Sequence, residues 1–402
     1  MTTKTFIPIA RPWIGEREAD AARRVLLSGW TTQGPEAAAF EAEFAAFVGA
    51  PHACAVSSCT TALHVALLAV GVRPGDEVVT VSHSFIATAN AIRYCGATPV
   101  FVDIDPGTFN IDPTRVEAAV GKRTRAILAV HQLGMPCDLA ALAATAARHA
   151  LPLVEDAACA AGSEIEWRGG WQRIGRPHGD LACFSFHPRK LLSTGDGGMI
   201  TTRDGRLDRQ FRLLRHHGMT ASDLDRHLSP TVSVESYAAL GFNYRLTDIQ
   251  AAIGREQLKR LPEVVARRRA LAGQYAALLA GTSGLGLPNE PRWARSNFQS
   301  YCVRLPDGCD QRTVMQRLLD EGIATRPGVM CAHREPAYAR EPWTCIPGAA
   351  ACACGVEGCR RLRVSELAQD RCILLPLFHE MTDDDQRRVA EGLRAACAGA
   401  VR

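Results

Sequence analysis

Apolar residues in the first half of the chain alternate between helical and strand-like spacing. Phe40, Phe44 and Phe47 recur every three or four residues and predict a helix over 36–49 that stops at a glycine. A second helix is predicted to begin near Thr60 and to end near Val70. Short runs rich in β-branched residues then predict four strands, at 77–81, 98–103, 126–130 and 151–155. Helical stretches separate these strands at 84–95, 112–120 and 138–149. This alternation favours an α/β fold with a mostly parallel central sheet flanked by helices.

The second half of the chain is less regular. A long helix is predicted over 256–281 despite Pro262, and it is followed by a strand at 300–305 and a helix at 311–322. A loop rich in proline and cysteine occupies 326–360. We therefore predict three parts, namely a large domain, a connecting helix and a smaller C-terminal α/β domain, at 1–255, 256–281 and 282–402.

Composition narrows the class of protein. The 402 residues are 47% hydrophobic and 22% charged, which is typical of a soluble globular protein. The net charge of +4 is small for this length and gives no case for nucleic-acid binding. The apolar runs are too short to span a membrane, and residues 1–30 lack the apolar core of a signal peptide. We expect a cytoplasmic location.

Fifteen cysteines are scattered along the chain. Without a secretion signal they indicate reduced thiols and not a disulfide framework. One cluster comprises Cys345, Cys352, Cys354 and Cys359. Its spacing matches none of the common zinc patterns, so a loop of small residues that happens to carry thiols is favoured over a metal site.

The most informative pair of residues is Lys190 with Asp156. Lys190 ends an aromatic strand-like segment and precedes the glycine-rich turn 194–198, while Asp156 ends the apolar run 151–156. A lysine in this setting can form a Schiff base with an aldehyde cofactor, and an upstream aspartate can keep a pyridine nitrogen protonated. The alternatives are a surface lysine, and an aspartate paired with an arginine.

An anion site is predicted near residue 60. Helix N-termini bind phosphate, and here Ser58 and Thr60 offer hydroxyls while Cys59 and Thr60 offer backbone N–H groups. An ordinary helix cap explains the same residues. Ser185 alternates with Phe184 and Phe186 on a predicted strand, so its hydroxyl could face the same phosphate or simply bond to backbone.

Two further segments carry candidate binding side chains. Phe85 follows the strand 77–81, at the end of the sheet where α/β folds bind ligands, and could stack on a flat cofactor or belong to the core. Asn243 and Arg245 lie in a polar segment that leads into a helix capped by Thr247. Their side chains suit phosphate or carboxylate, and equally suit an exposed surface.

Taken together, these segments resemble the DegT/DnrJ/EryC1/StrS group of sugar aminotransferases, which are fold-type I enzymes that use pyridoxal phosphate (PLP). The resemblance extends nearly from end to end. It rests on Ser58–Leu63, Phe85–Asn90, Gly96–Asp103, Glu155–Ala158, Phe184–Lys190, Gly195–Gly198, Gly241–Asp248 and Ala332–Tyr338.

The resemblance implies a role for each candidate residue. Lys190 would carry PLP as a Schiff base, Asp156 would pair with the pyridine nitrogen, and Phe85 would stack on the ring. The phosphate would be held by Cys59, Thr60 and Ser185, with Asn243 reaching in from the neighbouring subunit of a homodimer. Cys159 stands where the family commonly has Gln or His near the ring, so the contact at that position is open.

The implied reaction moves an amino group from an amino acid, usually L-glutamate, to a nucleotide-linked 4-keto or 3-keto hexose. Lys190 would act as general base and acid. His187, Arg245 and His333 are candidate substrate contacts. The alternatives are amination of a keto-cyclitol, a sugar dehydratase, in which histidine replaces the lysine, and a non-catalytic sugar-nucleotide-binding regulator. The presence of Lys190 argues against the dehydratase.

Overall fold

The computed structural model describes residues 5–220, 234–349 and 358–398. Its largest element is a seven-stranded sheet with strand order β1-β9-β8-β5-β4-β2-β3. Strand β9 is antiparallel to both of its neighbours, and β8, β5, β4, β2 and β3 are mutually parallel. The strands are β1 His52–Val56, β2 Glu77–Val81, β3 Thr98–Val102, β4 Thr124–Val130, β5 Leu153–Asp156, β8 Leu181–Ser185 and β9 Gly198–Thr202. The prediction of a mainly parallel sheet flanked by helices is confirmed.

Two small antiparallel sheets accompany the large one. One has the order β10-β6-β7 and the other the order β11-β13-β12. Their strands are β6 Glu164–Trp167, β7 Gly170–Arg173, β10 Ala294–Arg295, β11 Tyr301–Arg304, β12 Arg326–Pro327 and β13 Cys372–Leu375. Strand β12 and two short 3₁₀ turns, Ala332–Arg334 and Pro336–Ala339, lie in the region predicted as a loop.

Eleven α-helices complete the described part of the chain. They are α1 Glu16–Ser28, α2 Pro35–Val48, α3 Cys59–Ala69, α4 Ala87–Tyr94, α5 Pro113–Val116, α6 Leu139–Arg148, α7 Gly205–Arg215, α8 Asp248–Leu279, α9 Gln311–Asp320, α10 Arg363–Arg371 and α11 Asp383–Ala398. None of the helices within the described ranges is both long and apolar enough to cross a membrane.

The predicted elements agree with the structure to within a few residues, with two exceptions. The helix predicted at 112–120 is a single α-turn, α5, followed by a 3₁₀ turn at Glu117–Ala119. The long helix was expected to begin at 256, but α8 begins at Asp248 and runs through Pro262 without a break. Its start is fixed by a capping box, in which Thr247 accepts from the backbone of Gln250 and the Gln250 side chain reaches back.

Aromatic packing determines which face of strand β8 is turned to the core. Phe184 and Phe186 are fully buried, and their rings lie 5.0 Å from Phe44 and 5.3 Å from Phe40 on helix α2. Because side chains alternate across a strand, Ser185 is turned to the other face. The apolar helix α2 thus orients the strand that leads to Lys190.

A second core lies around the small sheet β11-β13-β12. The C-terminal half of α8 packs there against α9 and α11 through buried side chains such as Leu271, Tyr275 and Leu393. Helix α8 therefore contributes to both cores, as a connecting helix would. The division at 255 and 281 stays a prediction.

Candidate active site

A cavity of about 680 Å³ opens at one edge of the large sheet. Strands β2, β4, β5 and β8 are parallel, so their carboxyl ends meet at that edge, where open α/β sheets bind ligands. The cavity wall includes Cys59, Thr60, Phe85, Asp156, Cys159, Ser185, His187 and Lys190. Residues as far apart in the sequence as Cys59 and Lys190 are thereby brought to one site.

The turn from β1 to α3 forms one end of the cavity. Ser58 caps α3 by accepting from the backbone of Thr61, and Thr61 bonds back to the backbone of Ser58. Cys59 and Thr60 are the first two residues of the helix, so their N–H groups have no acceptor within it. Ser185, at the end of β8, lines the same cavity. Free N–H groups at a helix N-terminus make this end suitable for a phosphate.

Asp156 lies deep in the cavity and is only 4% exposed. Its Oδ2 accepts a hydrogen bond from Thr88 Oγ1 at 2.7 Å, and its Oδ1 accepts from the backbone N–H of Ala158 at 3.2 Å. Within the described ranges, no Lys, Arg or His forms an ion pair with it. Burial raises the pKa of Asp156, and the Thr88 hydroxyl opposes that rise. A buried carboxylate without a cation is costly, so the site suits a ligand that brings a cationic N–H.

Lys190 approaches the cavity from the turn after β8. Its Nζ lies 3.0 Å from Cys159 Sγ, and the carbonyl of Cys159 accepts a hydrogen bond from Asn297. Burial lowers the pKa of the Lys190 amine, but Cys159, Cys59 and Asp156 together outweigh it and leave that pKa raised.

Phe85 stands at the start of α4, on the cavity wall. The residue is 70% exposed, although Ser84 and Thr88 beside it are buried. An exposed aromatic face on a cavity wall is suited to stacking a planar ring. His187 is also exposed at the cavity, and burial of part of its ring lowers its pKa.

Asn243 and Arg245 do not line this cavity within one chain. Both lie on an extended segment beside β1, where Asn243 is bridged to His216 and Arg245 to Val56. Arg245 Nη1 is 2.8 Å from His216 Nδ1. A single chain therefore does not bring these two residues to the cavity, and their contacts with cofactor and substrate stay predictions.

His333, a predicted substrate contact, lies outside the cavity in the structure. It is fully buried. Its Nδ1 lies 2.6 Å from Ser82 Oγ and its Nε2 lies 2.9 Å from Glu366 Oε1, so both ring nitrogens are occupied. The residue instead connects the end of β2 to α10.

The four-cysteine cluster is described only at its first and last members. Cys345 and Cys359 are buried with their Sγ atoms 3.6 Å apart, while Cys352 and Cys354 lie outside the described residues. Among the residues that the structure describes, no group of three or more metal-binding side chains is present.

The sequence reasoning missed several residues of the cavity wall. Thr88 and Gln299 line it, and so does His131, whose Nε2 is 3.0 Å from Glu155 Oε2. Arg189 and Arg326 add two cationic side chains. Thr88 had a local signal, because it lies four residues after Ser84 and so faces the same side at the start of a helix. For Gln299 and Arg326, we find no signal in the sequence.

The cavity fits PLP. It offers a helix N-terminus for a phosphate, an exposed aromatic ring, a buried carboxylate that lacks a cation, and a lysine amine. Gly198 packs closely against the turn before this helix, since a Cβ at that position would lie 2.5 Å from Ser58 O. Fold and site together define a PLP-dependent transferase of fold type I.

Comparison with known proteins identifies the family. The model of the DegT/DnrJ/EryC1/StrS aminotransferase family matches residues 12–394, and the chain belongs to this family. It is a PLP-dependent aminotransferase.

Relatives match over nearly their whole length. The spore coat polysaccharide biosynthesis protein SpsC of Bacillus subtilis (strain 168) is 38% identical over 401 residues, 98% of each chain. The aminotransferase TlmJ of Streptoalloteichus hindustanus is 35% identical, with 98% and 99% of the two chains covered and a TM-score of 0.85. Spr1654 of Streptococcus pneumoniae, solved in a PLP form, is 25% identical, with 99% and 100% covered and a TM-score of 0.87.

Proposed function

We propose that this enzyme transfers an amino group from L-glutamate to a keto sugar, specifically a nucleotide-linked 4-keto or 3-keto deoxyhexose. The observation that carries the proposal is the placement of Lys190 and Asp156 in one cavity with a helix N-terminus suited to phosphate. The sugar acceptor is supported by relatives such as SpsC, whose name assigns it to polysaccharide biosynthesis.

Each residue of the cavity would have a distinct task. The N–H groups of Cys59 and Thr60 and the hydroxyl of Ser185 would hold the phosphate of PLP, and Phe85 would stack on its ring. Asp156 would hold the proton on the ring nitrogen. When bound, PLP supplies an aldehyde that accepts the amino group and a ring that stabilises negative charge on the reacting carbon.

Lys190 would move the proton in both half-reactions. Once its amine is free and neutral, Nζ would accept a proton from the α-carbon of the amino donor and would donate it at a second position in the cavity. The same two tasks in reverse order would serve the keto sugar. Cys159, 3.0 Å from Nζ, would orient the amine between these two positions.

The mouth of the cavity suits an anionic substrate. Arg189 and Arg326 line it, and a guanidinium group binds carboxylate or phosphate in a fork geometry. His187 is exposed in the same wall and would contact the substrate. Both L-glutamate and a sugar nucleotide carry the required negative charge.

We further infer a cytoplasmic homodimer with shared active sites. Support comes from Asn243 and Arg245, which lie outside the cavity of their own chain, and from the exposed apolar residues Val234, Tyr237 and Leu240 nearby. An exposed apolar group of this kind marks an interaction surface. In the dimer, Asn243 would reach the phosphate in the partner's cavity and Arg245 a carboxylate or phosphate.

The decisive experiment uses the small number of lysines. The chain has four, Lys4, Lys122, Lys190 and Lys259, so a covalent PLP adduct trapped with borohydride can be assigned by peptide mapping. We expect the adduct on Lys190, a visible absorption band that shifts on adding L-glutamate, and loss of both in Lys190→Ala. Lys259→Ala is the matched control, since Lys259 is exposed and paired with Glu256. Undiminished trapping in Lys190→Ala would overturn the assignment.

A panel of acceptors then defines the substrate. The enzyme loaded with the amino group is offered nucleotide-linked 4-keto and 3-keto hexoses, free keto-cyclitols and buffer alone, and the aminated products are measured by mass spectrometry. Amination of a keto-cyclitol alone would replace the sugar proposal. Loss of a sugar hydroxyl without amination would indicate a dehydratase, and binding without any turnover would indicate a regulator.

A further inference from the structure

Two buried hydroxyl groups lie in a row behind Asp156. Ser84 Oγ is 2.7 Å from Thr88 Oγ1, and Thr88 Oγ1 is 2.7 Å from Asp156 Oδ2. Ser84 is 4% exposed and Thr88 is 1% exposed. Both belong to the segment that leads from β2 into α4, whereas Asp156 ends β5. The row therefore connects two elements that are distant in the sequence.

The direction of these hydrogen bonds follows from the proton count. An ionised carboxylate can only accept, so Thr88 must donate its single hydroxyl hydrogen to Asp156. Thr88 then has only acceptor capacity left for Ser84, and Ser84 must donate to Thr88. Hydrogen bonds in such a row polarise one another, so the Ser84 hydroxyl strengthens the donation from Thr88 to Asp156.

The row also determines where Asp156 points. Oδ2 is held by Thr88 and Oδ1 by the N–H of Ala158, so the carboxylate cannot rotate without breaking one of the two bonds. Each carboxylate oxygen still has a free lone pair. The orientation of the carboxylate is therefore fixed before any ligand arrives, and such preorganisation lowers the free-energy cost of binding.

We propose that Thr88, supported by Ser84, is a positioning residue that orients the Asp156 carboxylate towards the pyridine nitrogen of PLP and favours its ionised form. This inference rests on the proposed role of Asp156. Thr88 acts through Asp156 alone. The start of α3 is held by the Ser58 cap, and Lys190 is held by Cys159.

Binding of PLP to the apoprotein tests the inference without depending on turnover. Thr88→Val keeps the shape of the side chain but removes the hydroxyl, and Thr88→Ser restores it. A hydrogen bond to a charged group contributes about 1.5–3 kcal/mol, which corresponds to about 10- to 150-fold in affinity. We expect Thr88→Val to weaken PLP binding in equilibrium dialysis by that factor, Ser84→Ala to weaken it less, and Thr88→Ser to retain most of the affinity.

Thr80→Val is the matched control. Thr80 is fully buried on β2 and donates to the carbonyl of Leu128 at 2.8 Å, so this substitution also removes a buried threonine hydroxyl but leaves Asp156 untouched. We expect Thr80→Val to lower the thermal stability of the apoprotein with unchanged PLP affinity. A second readout is the absorption maximum of bound PLP, which depends on the charge at the ring nitrogen and should shift only in Thr88→Val and Ser84→Ala.

The outcomes separate this inference from the proposed function. If the unaltered apoprotein binds PLP and Thr88→Val binds it equally well, or if Thr80→Val weakens binding as much, the positioning role is wrong. If the unaltered apoprotein binds no PLP, the proposed function itself fails. If Thr88→Ser loses as much affinity as Thr88→Val, the side-chain shape and not the hydroxyl matters, which also contradicts the inference.

Discussion

Gly198→Ala should damage the phosphate end of the cavity through a steric contact. Gly198 begins β9 and pairs with Val56 on one side and Ser185 on the other, so it lies between the two strand ends that lead to the predicted phosphate contacts. A Cβ at this position would lie 2.5 Å from Ser58 O, 2.6 Å from Ser58 C and 2.8 Å from Cys59 N. All three are backbone atoms, which cannot move aside by changing rotamer.

The magnitude follows from these distances. Restoring ordinary contacts of about 3.4 Å or more requires the start of α3 to move by roughly 0.5–1 Å. Overpacking of this kind costs about 1–3 kcal/mol of unfolding free energy. A displacement near 1 Å at a catalytic site costs about 100-fold, so we expect PLP affinity and kcat/KM to fall by about 10- to 100-fold.

Two assays check the effect, and a second glycine provides the control. Urea unfolding of the apoprotein measures the stability loss, and equilibrium dialysis measures PLP affinity. A Cβ on Gly273, within α8, meets nothing within 4 Å, so Gly273→Ala should be neutral or stabilise the protein by up to about 1 kcal/mol. If Gly198→Ala keeps both its unfolding free energy and its PLP affinity, the close approach of β9 to the backbone of Ser58 and Cys59 is not a constraint and the reasoning is wrong.

Two further predictions concern buried charges. Burial by itself raises the pKa of Glu41, but ion pairs with Arg215 and Arg212 outweigh it and leave that pKa lowered. Its stabilising contribution is therefore present above the ordinary glutamate pKa of about 4.3 and is lost as the pH falls through the folded value. Glu41→Gln should cost about 3 kcal/mol at pH 7 in urea unfolding, with the gap from the unaltered protein closing in acid; a gap independent of pH would contradict this. Burial lowers the pKa of Arg268 to about 10, and its guanidinium group donates to the carbonyls of Phe298, Gln299 and Leu377. Arg268→Leu should therefore cost about 3 kcal/mol or more of unfolding free energy. The control Arg267→Leu, at an exposed position, should cost much less. Equal losses in the two arginine variants would refute the role given to those carbonyls.

The local elements of the site could be predicted from the sequence. The helix cap at Ser58, the alternation of Ser185 with two phenylalanines and the position of Asp156 at a strand end all depend on spacing within a few residues. Turn and cap chemistry is short-range, and parallel strands bring their carboxyl ends together whatever their order. For that reason the cavity contains most of the residues singled out from the sequence.

Contacts between distant segments had to come from the tertiary structure. Thr88 and Asp156 are 68 residues apart, and Lys190 and Cys159 are 31 apart. Strands β2 and β5 are separated by β4 in the sheet, so whether α4 meets the end of β5 depends on strand order, which spacing does not encode. The same holds for His333. We predicted a substrate contact for it, but only the tertiary structure shows that it is buried against Ser82 and Glu366.

Residue identity and local spacing establish the chemistry available to this protein, namely a lysine, an aspartate and a helix N-terminus, each at or after the end of a strand of the large sheet. Packing between distant segments tunes that chemistry, because it places a threonine hydroxyl on the aspartate, a thiol beside the lysine and Gly198 against the backbone of Ser58. The physical reason is that identity and local spacing fix which groups a segment offers. Packing of segments far apart in the chain fixes which of those groups touch, how deeply they are buried and therefore how they ionise.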